Sequence, residues 1–208
     1  MRITGGQWCG RTLLMPKSEL VRPTQDRVRE ALFNVLAPLL NGARFLDLFA
    51  GSGAVGLDAL SRGAASVTFL ERDKTVFTTL KKNLDAFGVD TFCAHQTDAL
   101  AWLGLTTPSF NKKRATDKTM MLPASFAGIA YDIVFADPPY LWAKENGFAP
   151  IAQALAEQHR LKPGGFLITE TDYRTDPADL QGYTLMRDRL YGKTRLVIYQ
   201  RNSVATEA

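Results

Sequence analysis

Short apolar runs and amphipathic segments alternate along most of the chain, beginning near residue 44. Runs of five or six residues rich in Val, Ile, Leu and Phe are typical of buried strands, and the segments between them have helical periodicity. The pattern predicts helices at 54–62 and 75–87, and strands at 44–48, 66–70, 91–95, 131–136 and 165–170. A turn at residues 162–165 (KPGG) is expected to lead into the last of these strands.

The two ends of the chain depart from this alternation. Residues 183–190 and 194–200 are two further strand-like runs, joined by Tyr191-Gly192-Lys193, which is typical of a hairpin. Residues 1–23 predict a small β-hairpin, and a helix with one apolar face follows to about residue 37.

These elements together predict an α/β, Rossmann-like fold. We expect a mostly parallel seven-stranded sheet with a C-terminal antiparallel hairpin and helices on both faces. The predicted divisions are an N-terminal hairpin and helix arm at 1–40, a sheet domain at 41–201 and a disordered tail at 202–208. Within the sheet domain, residues 104–128 lack periodicity and predict a long flexible loop.

The composition is that of an ordinary globular protein. Hydrophobic residues make up 46% of the 208 residues and charged residues 22%, which excludes disordered and fibrous classes. Cys9 and Cys93 stand alone, without a cluster of Cys and His, so we predict a reducing compartment and no metal site. Without a long apolar run or an apolar signal core, we expect a monomeric cytoplasmic protein with no membrane partner.

The basic excess is concentrated in two places. Residues 1–40 carry six Lys and Arg against three Asp and Glu, and residues 111–118 carry four against one. Two such foci favour a polyanionic partner such as nucleic acid, with plain surface solvation as the alternative, chiefly for the loop. The candidate RNA contacts are Arg2, Arg11, Arg22, Arg27 and Arg29 in the arm and Lys112, Lys113 and Arg114 in the loop.

A glycine turn between the first predicted strand and helix is typical of a nucleotide-binding corner. Gly51 and Gly53 let the backbone approach a ligand, and the helix N-terminus behind them exposes amide donors. Glu71 follows Gly51 by twenty residues, at the end of the second strand, where an acid can accept both hydroxyl protons of a ribose. The alternative is a turn that needs glycine only for packing. Neighbouring residues complete this predicted cofactor site: Phe49, Ser52, Arg72 and Ala99.

The glycine corner suits a nicotinamide dinucleotide as well as S-adenosylmethionine, and Asp47 discriminates between these two cofactors. A carboxylate four residues before Gly51 can bind the ammonium of a methionine group, whereas it repels a pyrophosphate. S-adenosylmethionine is therefore favoured. Asp98 can accept a proton from the exocyclic amine of adenine, or it can be the N-cap of a helix over 99–103, and the sequence leaves both open.

The segment Asp137-Pro138-Pro139-Tyr140 directly follows the buried strand at 131–136. An exocyclic amine of a nucleobase is a poor nucleophile, because its lone pair is delocalised into the ring. Asp137 and the carbonyl of Pro138 can both accept hydrogen bonds from that amine and favour a pyramidal nitrogen. Pro139 stiffens the loop, and Tyr140 offers a stacking face for an extruded base. This motif predicts an amine-directed methyltransferase site.

The two motifs DLFAGSG and DPPY resemble those of amino-directed, S-adenosylmethionine-dependent methyltransferases. The segments GQWCGR at 6–11 and RPTQDRVRE at 22–30 narrow the resemblance to the RsmD family of bacterial 16S rRNA guanine-N2 methyltransferases. The resemblance implies a class I methyltransferase fold over residues 2–201 and a substrate base within the small ribosomal subunit. It also implies that Asp47, Gly51, Gly53, Glu71 and Asp98 line the cofactor and that residues 137–140 hold the target amine.

Other functions stay open at this point. An adenine-N6 methyltransferase of DNA or RNA ranks second, because the same DPPY motif suits that amine. A nicotinamide-dependent oxidoreductase would also use the glycine corner, but the sequence offers no acid or base suited to hydride transfer. A non-catalytic ribosome-assembly factor with this fold would not need an intact DPPY motif.

Overall fold

Seven strands form one sheet at the centre of the molecule, in a computed structural model that describes residues 1–16, 25–105 and 128–203. The strands are β1 (Arg44–Asp47), β2 (Ser66–Glu71), β3 (Ala94–Gln96), β4 (Tyr131–Ala136), β5 (Leu161–Asp172), β6 (Tyr183–Tyr191) and β7 (Thr194–Arg201). The helices are α1 (Asp26–Leu40), α2 (Ala54–Ser61), α3 (Lys74–Ala86), α4 (Ala99–Trp102), α5 (Tyr140–Asn146) and α6 (Ala149–Glu157).

The sheet has the strand order β3-β2-β1-β4-β5-β7-β6. Strands β1 to β5 pair in parallel, and β7 is antiparallel to both β5 and β6. The chain order reverses between β1 and β4, and ligands of such sheets bind at this switch point, beyond the carboxyl ends of the strands. The predicted fold class is confirmed.

Hydrophobic residues alternate between two cores because successive side chains of a strand point to opposite faces. Phe45 packs in the core beneath α1, α2 and α3, whereas Leu46 packs in the core beneath α4, α5 and α6. On β4, Phe135 packs in the same core as Phe45, and Val134 packs in the same core as Leu46. Burial on both faces holds the central strands rigid and fixes the position of the residues at their carboxyl ends.

Several element boundaries differ from the prediction. Residues 91–93 form a 3-10 turn with Asp90 as its cap, so the third strand is confined to Ala94–Gln96. The residues 162–165 lie inside β5 instead of preceding it, because a register shift between Tyr131 and Ile133 absorbs them. Helix α1 continues past residue 37, through Pro38, to Leu40.

The N-terminal segment packs onto α2 and α3. Its predicted hairpin is reduced to one bridge between Arg2 and Thr12 and a 3-10 turn over Gly6–Trp8. Ile3 and Leu13 are buried in the same core as α1. The predicted loop at 104–128 and tail at 202–208 fall largely on residues 106–127 and 204–208, which lie outside the described residues.

Candidate active site

A cleft of about 560 Å³ opens at the carboxyl ends of the central strands. It brings the predicted cofactor corner and the predicted amine-binding segment into one space. The predicted residues that line it are Asp47, Phe49, Gly51, Ser52, Glu71, Arg72, Asp98, Ala99, Asp137, Pro138, Pro139 and Tyr140.

Asp47 ends β1 and is almost completely buried. Its Oδ2 accepts a hydrogen bond of 3.2 Å from the Gly56 amide of α2, while Oδ1 is buried without a hydrogen-bond partner. Burial raises the pKa of Asp47 to about 7. The negative charge of Glu71 adds to this shift, and the hydrogen bond from the Gly56 amide opposes it. A buried acceptor of this kind on a cleft wall is suited to a cationic ligand group, which would satisfy it.

Glu71 ties the glycine turn to the end of β2. Its Oε2 accepts from the Gly51 amide at 3.0 Å and its Oε1 from the Asp73 amide at 2.7 Å. Burial raises the pKa of Glu71 above the usual value, and these two bonds oppose the shift. Each carboxylate oxygen has two acceptor sites, so Glu71 can hold the turn and still accept hydrogen bonds from the hydroxyls of a ribose.

Gly53 and Gly56 shape the corner from behind and do not line the cleft. Gly53 adopts φ +84° as the N-cap of α2, and a Cβ there would lie 2.5 Å from Leu80 Cδ1. A Cβ on Gly56 would lie 2.2 Å from Phe69 Cε1. Gly53 allows the turn and Gly56 allows α2 to pack closely on β2. The expected contact of Gly53 with a cofactor stays a prediction.

Asp98 is the N-cap of α4. Its Oδ1 accepts from the amides of Leu100 at 2.9 Å and Ala101 at 3.3 Å. Its Oδ2 lies 3.5 Å from Nη1 of Arg72, an exposed ion pair on the cleft wall. The capping role is thus present, and the position on the cleft leaves Asp98 available to an adenine amine as well.

The predicted amine-binding segment begins where β4 ends and leads into α5. Asp137 is partly buried, Pro138 is buried, and Pro139 is the N-cap of α5. Tyr140 is 49% exposed at the first position of that helix, so its ring is open to a base. The rigid strand β4 on one side and α5 on the other hold the segment between them.

Sequence reasoning missed one end of the cleft. The residues there are Glu170, Thr171 and Asp172 at the end of β5, together with Lys193 and Thr194 at the turn between β6 and β7. The rule that ligands bind at carboxyl ends of parallel strands applies to β5 as much as to β4, so that rule could have identified the β5 residues. Met1 and Gln25 also line the cleft, and no sequence signal indicated them.

The predicted RNA contacts divide into three groups. Arg2 and Arg27 are exposed. Arg11 is exposed as well, with its guanidinium 4.1 Å from the centre of the Phe87 ring and bonded to the carbonyl of Ala86. The remaining candidates Arg22, Lys112, Lys113 and Arg114 lie outside the described residues.

The structure contradicts the prediction that Arg29 contacts RNA. Its side chain is fully buried, and Nε donates to Oδ2 of Asp58 at 2.8 Å, where Asp58 is also fully buried. Its Nη2 donates to the carbonyl of Arg2 and pairs with Asp26 at 3.1 Å. A guanidinium enclosed in this way cannot contact a phosphate, so Arg29 fastens the N-terminal segment to α2.

Two further features can be stated for the part of the chain that the structure describes. No helix there is long and apolar enough to cross a membrane. No group of three or more His, Cys, Asp and Glu there is arranged to hold a metal ion.

The strand order and the glycine corner define the class I methyltransferase fold. The solved structure described as "Putative methyltransferase yhhF from Escherichia coli" has a TM-score of 0.77 and 33% identity, covering 98% of this chain and 99% of that one. TrmN from Thermus thermophilus shares the fold at a TM-score of 0.56 and 22% identity, covering 84% of this chain and 48% of that chain.

Sequence comparison shows the family to which this chain belongs. A family model described as "Conserved hypothetical protein 95" matches residues 1–200. Ribosomal RNA small subunit methyltransferase D of Escherichia coli K12 is 34% identical, over 98% of this chain and 91% of that protein. The protein of the same name from Haemophilus influenzae is 36% identical, over 96% and 93%. The chain belongs to this family, so the resemblance to the RsmD family is confirmed.

Proposed function

We propose that this protein transfers a methyl group from S-adenosylmethionine to the exocyclic N2 amine of one guanine in 16S rRNA. The observation that carries the proposal is that Asp47, Glu71 and Asp137 line the same cleft. The predicted cofactor corner and the predicted amine-binding segment therefore share one cleft, which supports direct transfer between two bound molecules.

The residues of the corner fit S-adenosylmethionine. The buried Oδ1 of Asp47, which has no hydrogen-bond partner, would accept from the ammonium of the methionine group. Glu71 would accept from the ribose hydroxyls and Asp98 from the adenine amine, while Phe49 and Ala99 supply apolar walls. When bound, S-adenosylmethionine would supply an electrophilic methyl group, and its sulfur would keep the electron pair of the sulfur–carbon bond that breaks.

The chain's own residues prepare the acceptor. Asp137 and the Pro138 carbonyl hold the two amine hydrogens, so that the nitrogen lone pair is no longer delocalised into the ring. Tyr140 stacks on the base and helps to offset the few kcal/mol that extrusion from the RNA costs. When the new nitrogen–carbon bond forms, the amine loses a proton, and Asp137 is placed to accept it. Catalysis is then mainly positioning and removal of water.

The relatives support the choice of RNA. Proteins named ribosomal RNA small subunit methyltransferase D match nearly the whole of this chain. Exposed Arg2, Arg11 and Arg27 lie on the N-terminal segment and α1, and Met1 and Gln25 of the same region line the cleft. Phosphate contacts there would position the RNA strand beside Asp137.

Nucleoside analysis tests the proposal. 16S rRNA from a strain that lacks this gene should lose one N2-methylguanosine by mass spectrometry, and purified protein with S-adenosylmethionine should restore it. A loss of N6-methyladenosine would instead establish the adenine alternative. Calorimetry that showed binding of NADH and none of S-adenosylmethionine would contradict the proposed cofactor.

A further inference from the structure

The end of the cleft that lies beyond Asp137 contains a second acidic residue, Glu170, for which the proposed reaction has so far no role. Glu170 is partly buried near the end of β5 and lines the cleft together with Tyr140. We propose that the carboxylate of Glu170 accepts a hydrogen bond from N1–H of the target base and thereby selects guanine over adenine. This inference rests on the proposed function and concerns which base that site admits.

The register of the sheet places Glu170 beside Asp137. Ala136, the last residue of β4, pairs with Thr169 of β5. Asp137 directly follows this pair on one chain segment and Glu170 follows it on β5. Because side chains alternate along strands, Glu170 lies on the sheet face that carries Ile168, and both Asp137 and Glu170 line the cleft. Adjacent strands lie about 4.8 Å apart, so side chains at these two positions can reach neighbouring donors of one base.

The same register separates Glu170 from the cofactor corner. Asp47 pairs with Phe69 of β2 and with Phe135 of β4. In the strand order, Glu71 on β2 therefore lies on one side of Asp137, and Glu170 on β5 lies on the other side. The charge of Glu170 still contributes to the raised pKa of Asp47, which agrees with a position close to the point of transfer. Glu170 is thus on the target side of the cleft.

Asp172 lines the same end of the cleft, and its charge is paired with that of Arg174. Its Oδ1 accepts from Nε and the amide of Arg174 at 2.7 and 3.0 Å, and its Oδ2 from Nη2 at 3.2 Å. Both oxygens are therefore engaged by one guanidinium. This makes Asp172 a matched control, since it is an acid of similar position with a different role.

The chemistry of the two purines explains the selection. In guanine, the N1–H donor lies next to the N2 amine, so two adjacent acceptors match that edge. In adenine, N1 is itself an acceptor next to the N6 amine, and it would face the Glu170 carboxylate without a proton between them. A site built to accept a hydrogen bond discriminates strongly against a base that presents a lone pair in place of the donor, because the two acceptors repel each other.

2-Aminopurine isolates this contact, because it keeps the exocyclic 2-amine of guanine and lacks N1–H. Small subunits would be assembled with 16S rRNA that carries guanine or 2-aminopurine at the modified position, once nucleoside analysis has located it. For the wild type, we expect kcat/KM to be at least about 100-fold higher for guanine. For Glu170→Gln, whose amide can donate to N1 of 2-aminopurine, we expect that preference to fall at least about tenfold. Asp172→Asn should keep the wild-type preference.

The outcomes separate the inference from the proposed function. A wild type that methylates 2-aminopurine nearly as well as guanine, or an unchanged preference in Glu170→Gln, would overturn the role of Glu170 while the function stands. The inference also fails if Glu170→Gln weakens S-adenosylmethionine binding in calorimetry as much as it lowers turnover. If the wild type forms no N2-methylguanosine on unsubstituted subunits, the proposed function itself is wrong.

Discussion

Replacement of Arg29 by methionine tests whether this residue is structural, as its burial indicates, or an RNA contact, as its position in the basic arm suggested. The substitution keeps a long side chain but removes the guanidinium that bonds to Asp58, Asp26 and the Arg2 carbonyl. Asp58, which is fully buried, then loses its closest charged partner.

The magnitude follows from the partners that remain. Removal of one member of a buried ion pair costs about 3–5 kcal/mol. Asp58 Oδ1 still accepts from the Thr4 amide at 2.8 Å and the Thr4 hydroxyl at 3.0 Å, and Arg62 Nε lies 3.9 Å away. We therefore expect the lower end, about 3 kcal/mol. For a chain of this length that corresponds to a decrease in Tm of about 6–12 °C.

Thermal unfolding followed by circular dichroism measures this loss. Arg27→Met is the matched control on the same helix, and as an exposed substitution it should change the free energy of unfolding by no more than about 0.5 kcal/mol. The double variant Arg29→Met/Asp58→Asn removes the unpaired charge and should recover part of the loss. A decrease below about 1 kcal/mol in Arg29→Met, together with a flatter salt dependence of rRNA binding, would refute the structural role.

Three further predictions concern the site. Asp47→Asn should weaken S-adenosylmethionine binding in calorimetry yet raise Tm at pH 8. Burial raises the pKa of Asp47 to about 7, so the carboxylate makes the protein less stable as the pH rises from the unfolded pKa of 3.8 through 7, and the amide avoids that loss. A lower Tm of the variant at pH 8 would contradict this. Asp137→Ala removes the acceptor and should abolish turnover with cofactor affinity unchanged; near-normal rates in this variant would exclude the amine mechanism. Tyr140→Ala should impair turnover more than Tyr140→Phe, by up to the ~1–3 kcal/mol of a base stack. Arg2→Gln/Arg27→Gln should lower the salt slope of rRNA binding by up to about two phosphate contacts without an effect on cofactor affinity, and an unchanged slope would remove both residues from the RNA surface.

The local motifs could be found from sequence because each occupies a few consecutive residues next to a recognisable strand. The segment at 47–56 carries its strand end, glycines and helix start together, and residues 137–140 directly follow the buried strand β4. Both motifs lie on the same cleft, as the parallel sheet predicted from alternating elements requires. The boundaries were less well predicted where a turn interrupts a strand, as at residues 162–165, because strand pairing with β4 overrides the local preference of Pro and Gly.

The sequence by itself determined the fold class and located the two motifs at 47–56 and 137–140, since periodicity and adjacent motifs are local properties. Only the tertiary structure decided which charges are available. Arg29 and Arg27 are two residues apart and equally basic, but helix α1 turns the first into the core against Asp58 and the second toward solvent. In the same way, Glu170 is 33 positions from Asp137 in the chain, and the pairing of β4 with β5 brings both residues to the same cleft. Such relations depend on packing between distant segments, which a single sequence does not record.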